Sequence, residues 1–122
     1  EDIVSWQRAR ELTREIYGCS KVGAFARDFG SCDQIQRASV STMANIAEGF
    51  ERGGDKEFIQ FLSTSKGSCG EVRSHLYVAL DQKYVSQQVF ADLYGKADEV
   101  GRLIGGFMTY LKESELRGRK FK

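Results

Sequence analysis

A chain of 122 residues is long enough for one domain with a real core, and its 41% hydrophobic and 29% charged residues exclude a disordered protein. The net charge of +1 excludes a field over the whole molecule that would draw it to nucleic acid or membrane, so such binding needs local patches. No apolar run approaches the ~18 residues needed to span a bilayer. With three cysteines in no metal-type spacing and no signal-peptide pattern, we predict a cytoplasmic protein with reduced thiols and no membrane contact.

The first predicted helix covers about residues 2–17, with Gly18 as its C-cap. Its apolar residues recur at steps of three and four. A long connection over residues 18–31 follows, in which Phe25 and Phe29 are spaced four apart. Because two exposed phenylalanine rings would be costly, we expect a short helical turn that tucks both rings under the bundle.

Three longer helices follow, each with its own start signal. Their predicted ranges and N-caps are residues 32–52 with Ser31, residues 55–83 with Asp55, and residues 86–115 with Ser86. In the last two, apolar residues alternate steps of four and three, a heptad seam typical of left-handed packing at crossing angles of about 20°. The chain contains no proline that would break any of them.

The connections between the last three predicted helices are short, which forces these helices to be antiparallel neighbours. No strand pattern and no internal repeat competes with this arrangement. The sequence therefore predicts an all-α fold, an antiparallel up-down-up-down four-helix bundle over residues 1–116, followed by a frayed basic tail at residues 117–122.

Several short motifs occur in a recognisable order. The chain has Trp-Gln-Arg-Ala from Trp6, Asn-Ile-Ala-Glu-Gly from Asn45 to Gly49, Lys-Glu-Phe-Ile-Gln-Phe-Leu from residue 56, and Tyr-Val-Ser from residue 84. In this order they resemble the bacterial four-helix-bundle family named for proteins encoded in intervening sequences of large-subunit ribosomal RNA genes. The resemblance covers about residues 3–111, and Asn-Ile-Ala-Glu-Gly is its most specific part.

The resemblance implies a bundle that assembles with copies of itself, often as a ring of five, and that has no established biochemical activity. It also implies a relation to the accessory proteins of diversity-generating retroelements, which are associated with nucleic acid and reverse transcriptase. The sequence departs from the family pattern at Met43 and Ala26, where the family usually has proline. Without proline at position 43, we expect the second long helix to run straight through this segment.

Polar side chains near the end of the second long helix admit two interpretations. Asn45 and Glu48 lie three residues apart on one helix face, and with Glu71 they could form a polar ligand site. The alternative, which we favour, is a structural network that sets helix register or joins subunits. If the following turn centres on Gly54, Arg37 lies opposite Glu71, and we expect an interhelical ion pair between them.

The sequence offers no set of residues for catalysis, for a cofactor or for a metal. His75 is the only histidine, whereas carboxylate metal sites in bundles need a Glu-x-x-His motif on two helices. Cys69 falls on a predicted core seam, where a thiol is usually inert. We therefore predict a protein that is not an enzyme and that binds no cofactor or metal.

The last two helices carry more apolar residues than one bundle-facing stripe requires. Each helical glycine also costs about 1 kcal/mol relative to alanine, so several in one helix indicate a compensating close contact with another helix, either within the bundle or across a subunit boundary. The apolar excess has two interpretations, a simply wide core or surface that contacts further copies of the chain; we favour the second, with two different patches per subunit in a ring. The candidate interface residues are Phe61, Tyr77, Phe90, Tyr94, Gly101, Gly105 and Met108.

Basic residues form the other candidate surface. Five copies in a ring would concentrate them around one rim, where contacts with phosphates would depend strongly on salt. The candidates for contacts with RNA or DNA are Arg8, Arg10, Arg14, Arg117, Arg119 and Lys120. Two functions are thus predicted as alternatives: a scaffold or interaction protein built as a homo-oligomer, by preference a pentamer, and a nucleic-acid-binding accessory protein.

Overall fold

Five helices make up the computed structural model, which describes residues 3–120, with side chains described as far as residue 118. They are α1 Val4–Ser20, α2 Gly23–Arg27, α3 Phe29–Arg52, α4 Asp55–Asp81 and α5 Gln87–Lys120. In the bundle formed by the four long helices, α3 lies beside α4, α4 beside α5, and α1 between α3 and α5. Therefore α1 is diagonal to α4, and α3 is diagonal to α5. No strand occurs within residues 3–120, and the predicted all-α helical bundle is confirmed.

The core follows the stripes that the heptad pattern predicts. The predicted seam of α4 is buried throughout, and its residues are Phe58, Leu62, Ser65, Cys69, Val72, Leu76 and Ala79. The stripe of α5 is buried from Leu93 to Ile104, whereas Val89, in the first turn of the helix, is 39% exposed. Since these side chains face α1 and α3 across one interior, they form a single core cluster.

Buried hydroxyl groups tie α3 to both of its neighbours. Thr13 Oγ1 on α1 lies 3.1 Å from the carbonyl oxygen of Ser39 on α3. Ser65 Oγ on α4 donates to the carbonyl oxygen of Thr42 on α3. Because each hydroxyl finds a partner, these small residues let the helix backbones approach without leaving a buried polar group unsatisfied.

The short helix α2 closes one end of the bundle. Phe25 is fully buried and stacks on Tyr84, which lies in the α4–α5 turn, with ring centroids 5.2 Å apart. The Tyr84 hydroxyl donates to Asp28 Oδ2 at 2.7 Å, and Asp28 Oδ1 accepts from the Ser31 backbone amide at 3.1 Å. These two hydrogen bonds lower the pKa of Asp28, and the bond to Asp28 raises the pKa of Tyr84.

Two predictions about the α1–α3 connection are wrong. Helix α1 passes Gly18 and ends at Ser20, and α3 begins at Phe29, so the predicted cap Ser31 lies inside its first turn. Asp28 is the N-cap instead, because its charged carboxylate accepts the free amide at the positive end of the helix. Phe29 is 81% exposed, so only one of the two expected rings is tucked under the bundle.

Two glycines make the α3–α4 turn. Gly53 is the C-cap of α3 with a φ of 84°, a left-handed conformation that glycine adopts without steric cost. Gly54 occupies the N-cap position of α4, and Asp55, the predicted N-cap, lies in the first turn, where its charge still favours the helix dipole. Helix α3 is continuous through Met43, as the missing proline predicts.

The last helix is longer than predicted. Ser86 Oγ accepts a hydrogen bond from the Val89 backbone amide at 3.1 Å, so the predicted cap at the start of α5 is confirmed. At the other end the helix continues to Lys120. Residues 117–120, predicted as a frayed tail, are therefore helical, while residues 121–122 of that tail lie outside the described residues.

Candidate functional site

The Asn-Ile-Ala-Glu-Gly segment contains a short relay of polar groups between α3 and α4. Asn45 Nδ2 donates to the Ser41 carbonyl oxygen at 2.9 Å and to Ser41 Oγ at 3.1 Å. Ser41 Oγ lies 2.8 Å from Ser68 Oγ on α4. A turn centred on Gly54 predicts that Ser41 lies opposite Gly67, so the observed contact with Ser68 differs from the predicted helix register by one residue. The relay joins two helices, and its groups are already hydrogen-bonded to one another.

At Gly49, α3 packs tightly against α4. A Cβ at this position would lie 2.8 Å from Phe58 Cδ1 and 2.8 Å from Phe61 Cβ, closer than real side chains come. Both neighbours are aromatic residues of the first turns of α4, and Phe58 also packs edge-on against Phe107 of α5, with centroids 5.0 Å apart. The glycine of the segment is therefore explained by packing.

The charged residues of the predicted network do not meet. Arg37 Nε lies 2.9 Å from Asp33 Oδ2, one turn earlier on α3, so the expected ion pair between Arg37 and Glu71 is wrong. Glu48 likewise pairs within α3, with Arg52 at 3.0 Å, and does not join Asn45. A pair within one exposed helix turn forms without the desolvation that an interhelical pair requires. Arg37 and Glu71 still line the same open groove between α3 and α4.

The outer side of α4 and α5 carries a partly exposed group of aromatic side chains. We call it the α4–α5 face and its three rings, Tyr77, Phe90 and Tyr94, the aromatic cluster. Their centroids are 5.0 Å apart for Tyr77 and Phe90, 5.5 Å for Tyr77 and Tyr94, and 5.4 Å for Phe90 and Tyr94. The neighbouring Tyr94 hydroxyl raises the pKa of Tyr77, because a second phenolate beside the first would be repelled. Tyr77 is 50% exposed.

Two cations lie along the same face beyond the aromatic cluster. A Cβ at Gly101 of α5 would lie 3.1 Å from Nη1 of Arg73 on α4, and a Cβ at Gly105 would lie 3.6 Å from Nζ of Lys66. The predicted close contact at these glycines therefore exists, and it lies inside one chain, between a glycine of α5 and a cationic side chain of α4. Gly70 of α4 borders the same guanidinium, at 3.7 Å from Nη2.

The other predicted interface residues are partly covered. The Arg52 guanidinium lies over the Phe61 ring, 5.5 Å from its centroid, and Phe61 also contacts the Gly49 position. Met108 is half-buried and packs against the core. Phe90 and Tyr94 are partly buried against the core in the same way, so Tyr77 is the large side chain of the predicted interface that remains exposed.

Three of the predicted basic residues come together on α1. Arg8, Arg10 and Arg14 line one open depression with Trp6, and the Arg10 guanidinium lies 5.9 Å from the centroid of the Trp6 ring. Arg8 is paired with Glu11 at 3.1 Å. Arg117 is exposed near the end of α5. The side chains of Arg119 and Lys120 lie outside the described residues.

The described residues contain no group of three or more His, Cys, Asp or Glu that could hold a metal ion. Cys69 is buried, and its Sγ donates to the Ala97 carbonyl oxygen at 3.1 Å. Burial raises the pKa of its thiol, which disfavours the reactive thiolate. Within residues 3–120, no helix is long and apolar enough to cross a membrane.

Known proteins with a similar sequence or structure share this helical architecture. The model of the 23S rRNA-intervening sequence protein family matches residues 1–106. The chain belongs to this family. A crystal structure of a protein with unknown function from the S23 ribosomal protein family of Bacteroides thetaiotaomicron has the same fold, with a TM-score of 0.80 at 19% sequence identity over 87% of this chain and 96% of that chain. No curated protein matches the sequence.

Sequence reasoning missed the two cations at the glycines. Lys66 and Arg73 are seven residues apart, two helix turns, and both lie on the side of α4 that also carries Tyr77. That spacing was a usable signal, since it places the two charges and the ring beside the glycines of α5.

Proposed function

We propose that the protein is a cytoplasmic homo-oligomer that acts as a scaffold or interaction module and does not catalyse a reaction. The observation that supports this is the aromatic cluster, in which Tyr77 is half-exposed while Phe90 and Tyr94 pack partly buried against the edge of the core. The three cysteines are free thiols, which suits a reducing compartment.

The aromatic cluster is a suitable contact surface for energetic reasons. Its three rings already touch one another, so a partner that covers them removes apolar area from water without first ordering flexible side chains. Tyrosine and phenylalanine are enriched in protein interfaces for this reason, and tyrosine can also keep its hydroxyl wet at the rim. A second copy of the chain is the partner that the family resemblance favours, with five copies as its most frequent ring.

The assembly is tested by mass in solution. Sedimentation velocity and light scattering should give a species about five times the 13.7 kDa chain. Tyr77→Ser combined with Tyr94→Ser should shift it toward the single chain, with at least tenfold weaker association. Tyr110→Ser is the control, since Tyr110 is exposed on α5 outside the aromatic cluster. A wild-type mass of one chain at all concentrations would reject the proposal.

A second candidate function is binding of RNA or DNA through α1. It is supported by the depression that Arg8, Arg10 and Arg14 share with Trp6, because guanidinium groups contact phosphates and the half-buried indole of Trp6 lines the same depression. Near-neutral net charge makes this surface, rather than the whole molecule, responsible for any binding.

An electrophoretic mobility shift with a 20-nucleotide single-stranded RNA and its DNA equivalent tests this candidate at 50 and 200 mM salt. Binding should weaken at least tenfold at the higher salt and in Arg10→Gln combined with Arg14→Gln. Arg27→Gln is the control, since Arg27 is exposed on α2, away from the depression. The absence of any shift at 50 mM salt would remove nucleic-acid binding from consideration.

A further inference from the structure

Lys66 and Arg73 are charges without an acidic partner on the α4–α5 face. Neither forms an ion pair or a hydrogen bond with any residue in the described part of the chain, where six ion pairs join other residues. On the same side of α5, Asp98 is paired with Arg102 at 3.3 Å. The face therefore carries two uncompensated positive charges beside the aromatic cluster.

The glycines hold these charges close to the helix backbones. The Arg73 guanidinium lies between Gly70 and Gly101, with Nη2 near the first and Nη1 near the second, and Arg73 is half-buried. Lys66 Nζ lies over Gly105. Because neither glycine of α5 has a side chain, an approaching group can reach both cations directly. A half-buried charge gains most from a carboxylate, since the surrounding protein reduces screening by water.

The chain itself supplies acids that could meet these cations. With 18 basic and 17 acidic residues, unpaired positive charge on one face leaves unpaired negative charge elsewhere on the same molecule. Glu51 makes no ion pair with any described residue, and Glu48 is engaged only by Arg52, in an exposed pair of the kind that contributes little. Both glutamates point outward from α3, the helix diagonal to α5.

We call the outward residues Val40, Ala44, Glu48 and Glu51 the α3 line. All four are exposed, and they share one side of α3 opposite its buried residues. The side chains at positions 40 and 44 are short, so this part of the line can lie flat against a partner. Its sequence is thus apolar at one end and acidic at the other.

The α3 line and the α4–α5 face match in spacing. On α5, Tyr94 precedes Gly101 by seven residues and Gly105 by eleven, which is about 10 and 16 Å along the helix. On α3, Val40 precedes Glu48 by eight residues and Glu51 by eleven, about 12 and 16 Å. An apolar contact at one end and two charge pairs at the other can therefore form together when the two helices run parallel.

We propose that the α4–α5 face docks on the α3 line of a second copy, with Glu48 and Glu51 of that copy meeting Arg73 and Lys66 while Val40 covers the aromatic cluster. This inference rests on the proposed homo-oligomer and specifies its interface. The two surfaces lie on different sides of the bundle, so the contact is heterologous. Each subunit binds one neighbour through its α4–α5 face and a second neighbour through its α3 line, and repetition of this contact generates a ring or a filament.

Charge reversal followed by compensation tests the pairing. In sedimentation velocity, Lys66→Glu with Arg73→Glu should weaken self-association at least tenfold, and Glu48→Lys with Glu51→Lys should do the same. The chain with all four substitutions should regain assembly, because each reversed pair is again complementary. Lys21→Glu with Arg27→Glu is the control of equal charge change at two exposed residues outside both surfaces, and it should assemble like the wild type.

The outcomes separate this inference from the proposed function. If the wild type assembles and the Lys66/Arg73 reversal has no effect, or the fourfold variant stays dissociated while folded, the interface is wrong and the homo-oligomer stands. If the wild type has the mass of one chain, the interface and the homo-oligomer are both wrong.

If the RNA 20-mer binds and that binding is lost in the Lys66/Arg73 reversal, these two cations bind nucleic acid and the proposed interface is overturned. Should a reversal variant fail to fold by circular dichroism, Gln at the same positions provides the milder test, with the same loss expected.

Discussion

Helix α4 packs against α3 on one side and against α5 on the other, and these two helix interfaces, the α3–α4 seam and the α4–α5 seam, use glycine in opposite ways. At the α3–α4 seam, Gly49 meets the atoms of Phe58 and Phe61 at distances that leave no room for a Cβ. At the α4–α5 seam, Gly101 meets the end of the long Arg73 side chain. Rings held in a packed core cannot move aside, whereas a guanidinium at the surface can adopt another rotamer. Glycine at position 49 is thus required because two rings pack against it, whereas glycine at position 101 leaves space for the charged end of Arg73.

The largest effect is expected at the packed seam. Gly49→Ala should lower the free energy of unfolding by about 1–2 kcal/mol, because overpacking against two rings outweighs the gain of up to about 1 kcal/mol in helix propensity. Urea unfolding followed by circular dichroism measures this. A stabilised Gly49→Ala protein would show that the rings yield and would remove the contrast between the seams.

The second prediction concerns the polar contact in that seam. Ser65→Ala removes the hydrogen bond from Ser65 Oγ to the Thr42 carbonyl oxygen and should cost about 1 kcal/mol in the free energy of unfolding. The carbonyl can still accept its helical hydrogen bond, so no buried group loses its only partner. Exposed Ser63→Ala on the same helix is the control and should be neutral or slightly stabilising. Equal effects at the two positions would mean that this contact contributes nothing.

The seams also differ in how far the sequence predicts them. The buried stripe of α4, from Phe58 to Ala79, follows from a heptad pattern, because burial in a bundle depends on helix periodicity alone. The ion-pair partner of Arg37 does not follow from any such pattern. A flexible side chain chooses among partners whose energies differ little, and Asp33 on its own helix wins over Glu71 across the groove.

The same limit applies to helix caps and to the candidate site. Asp28 and Ser31 are both good N-cap residues, and the choice of Asp28 depends on Tyr84, more than fifty residues away, which binds the same carboxylate. The positions of Lys66 and Arg73 depend on where α5 places its glycines. Local sequence patterns therefore predict the helical bundle, but they do not predict side-chain contacts that depend on how distant segments pack together.

The third prediction moves to the α4–α5 seam. Gly105→Ala should raise the free energy of unfolding by about 0.5–1 kcal/mol, because alanine is the better helix former and its Cβ meets Lys66 at ordinary contact distance. Gly95→Ala, on the same helix with no atom within 4 Å of the added Cβ, gives the reference value for propensity alone. A loss of stability at Gly105, with a gain at Gly95, would mean that the Lys66 ammonium is held rigidly.

The smallest effect is expected at Gly101. Its added Cβ would lie 3.1 Å from Arg73 Nη1, so the guanidinium must shift by a few tenths of an ångström, and the cost of that shift should roughly cancel the gain in propensity. We expect Gly101→Ala to change the free energy of unfolding by less than about 0.5 kcal/mol. Measured in the Arg73→Ala background, where nothing remains to be displaced, the same substitution should recover the gain seen at Gly95. A destabilisation as large as that at Gly49 in either background would place the backbone of α4, and not a movable cation, against Gly101, and the distinction between the two seams would fail.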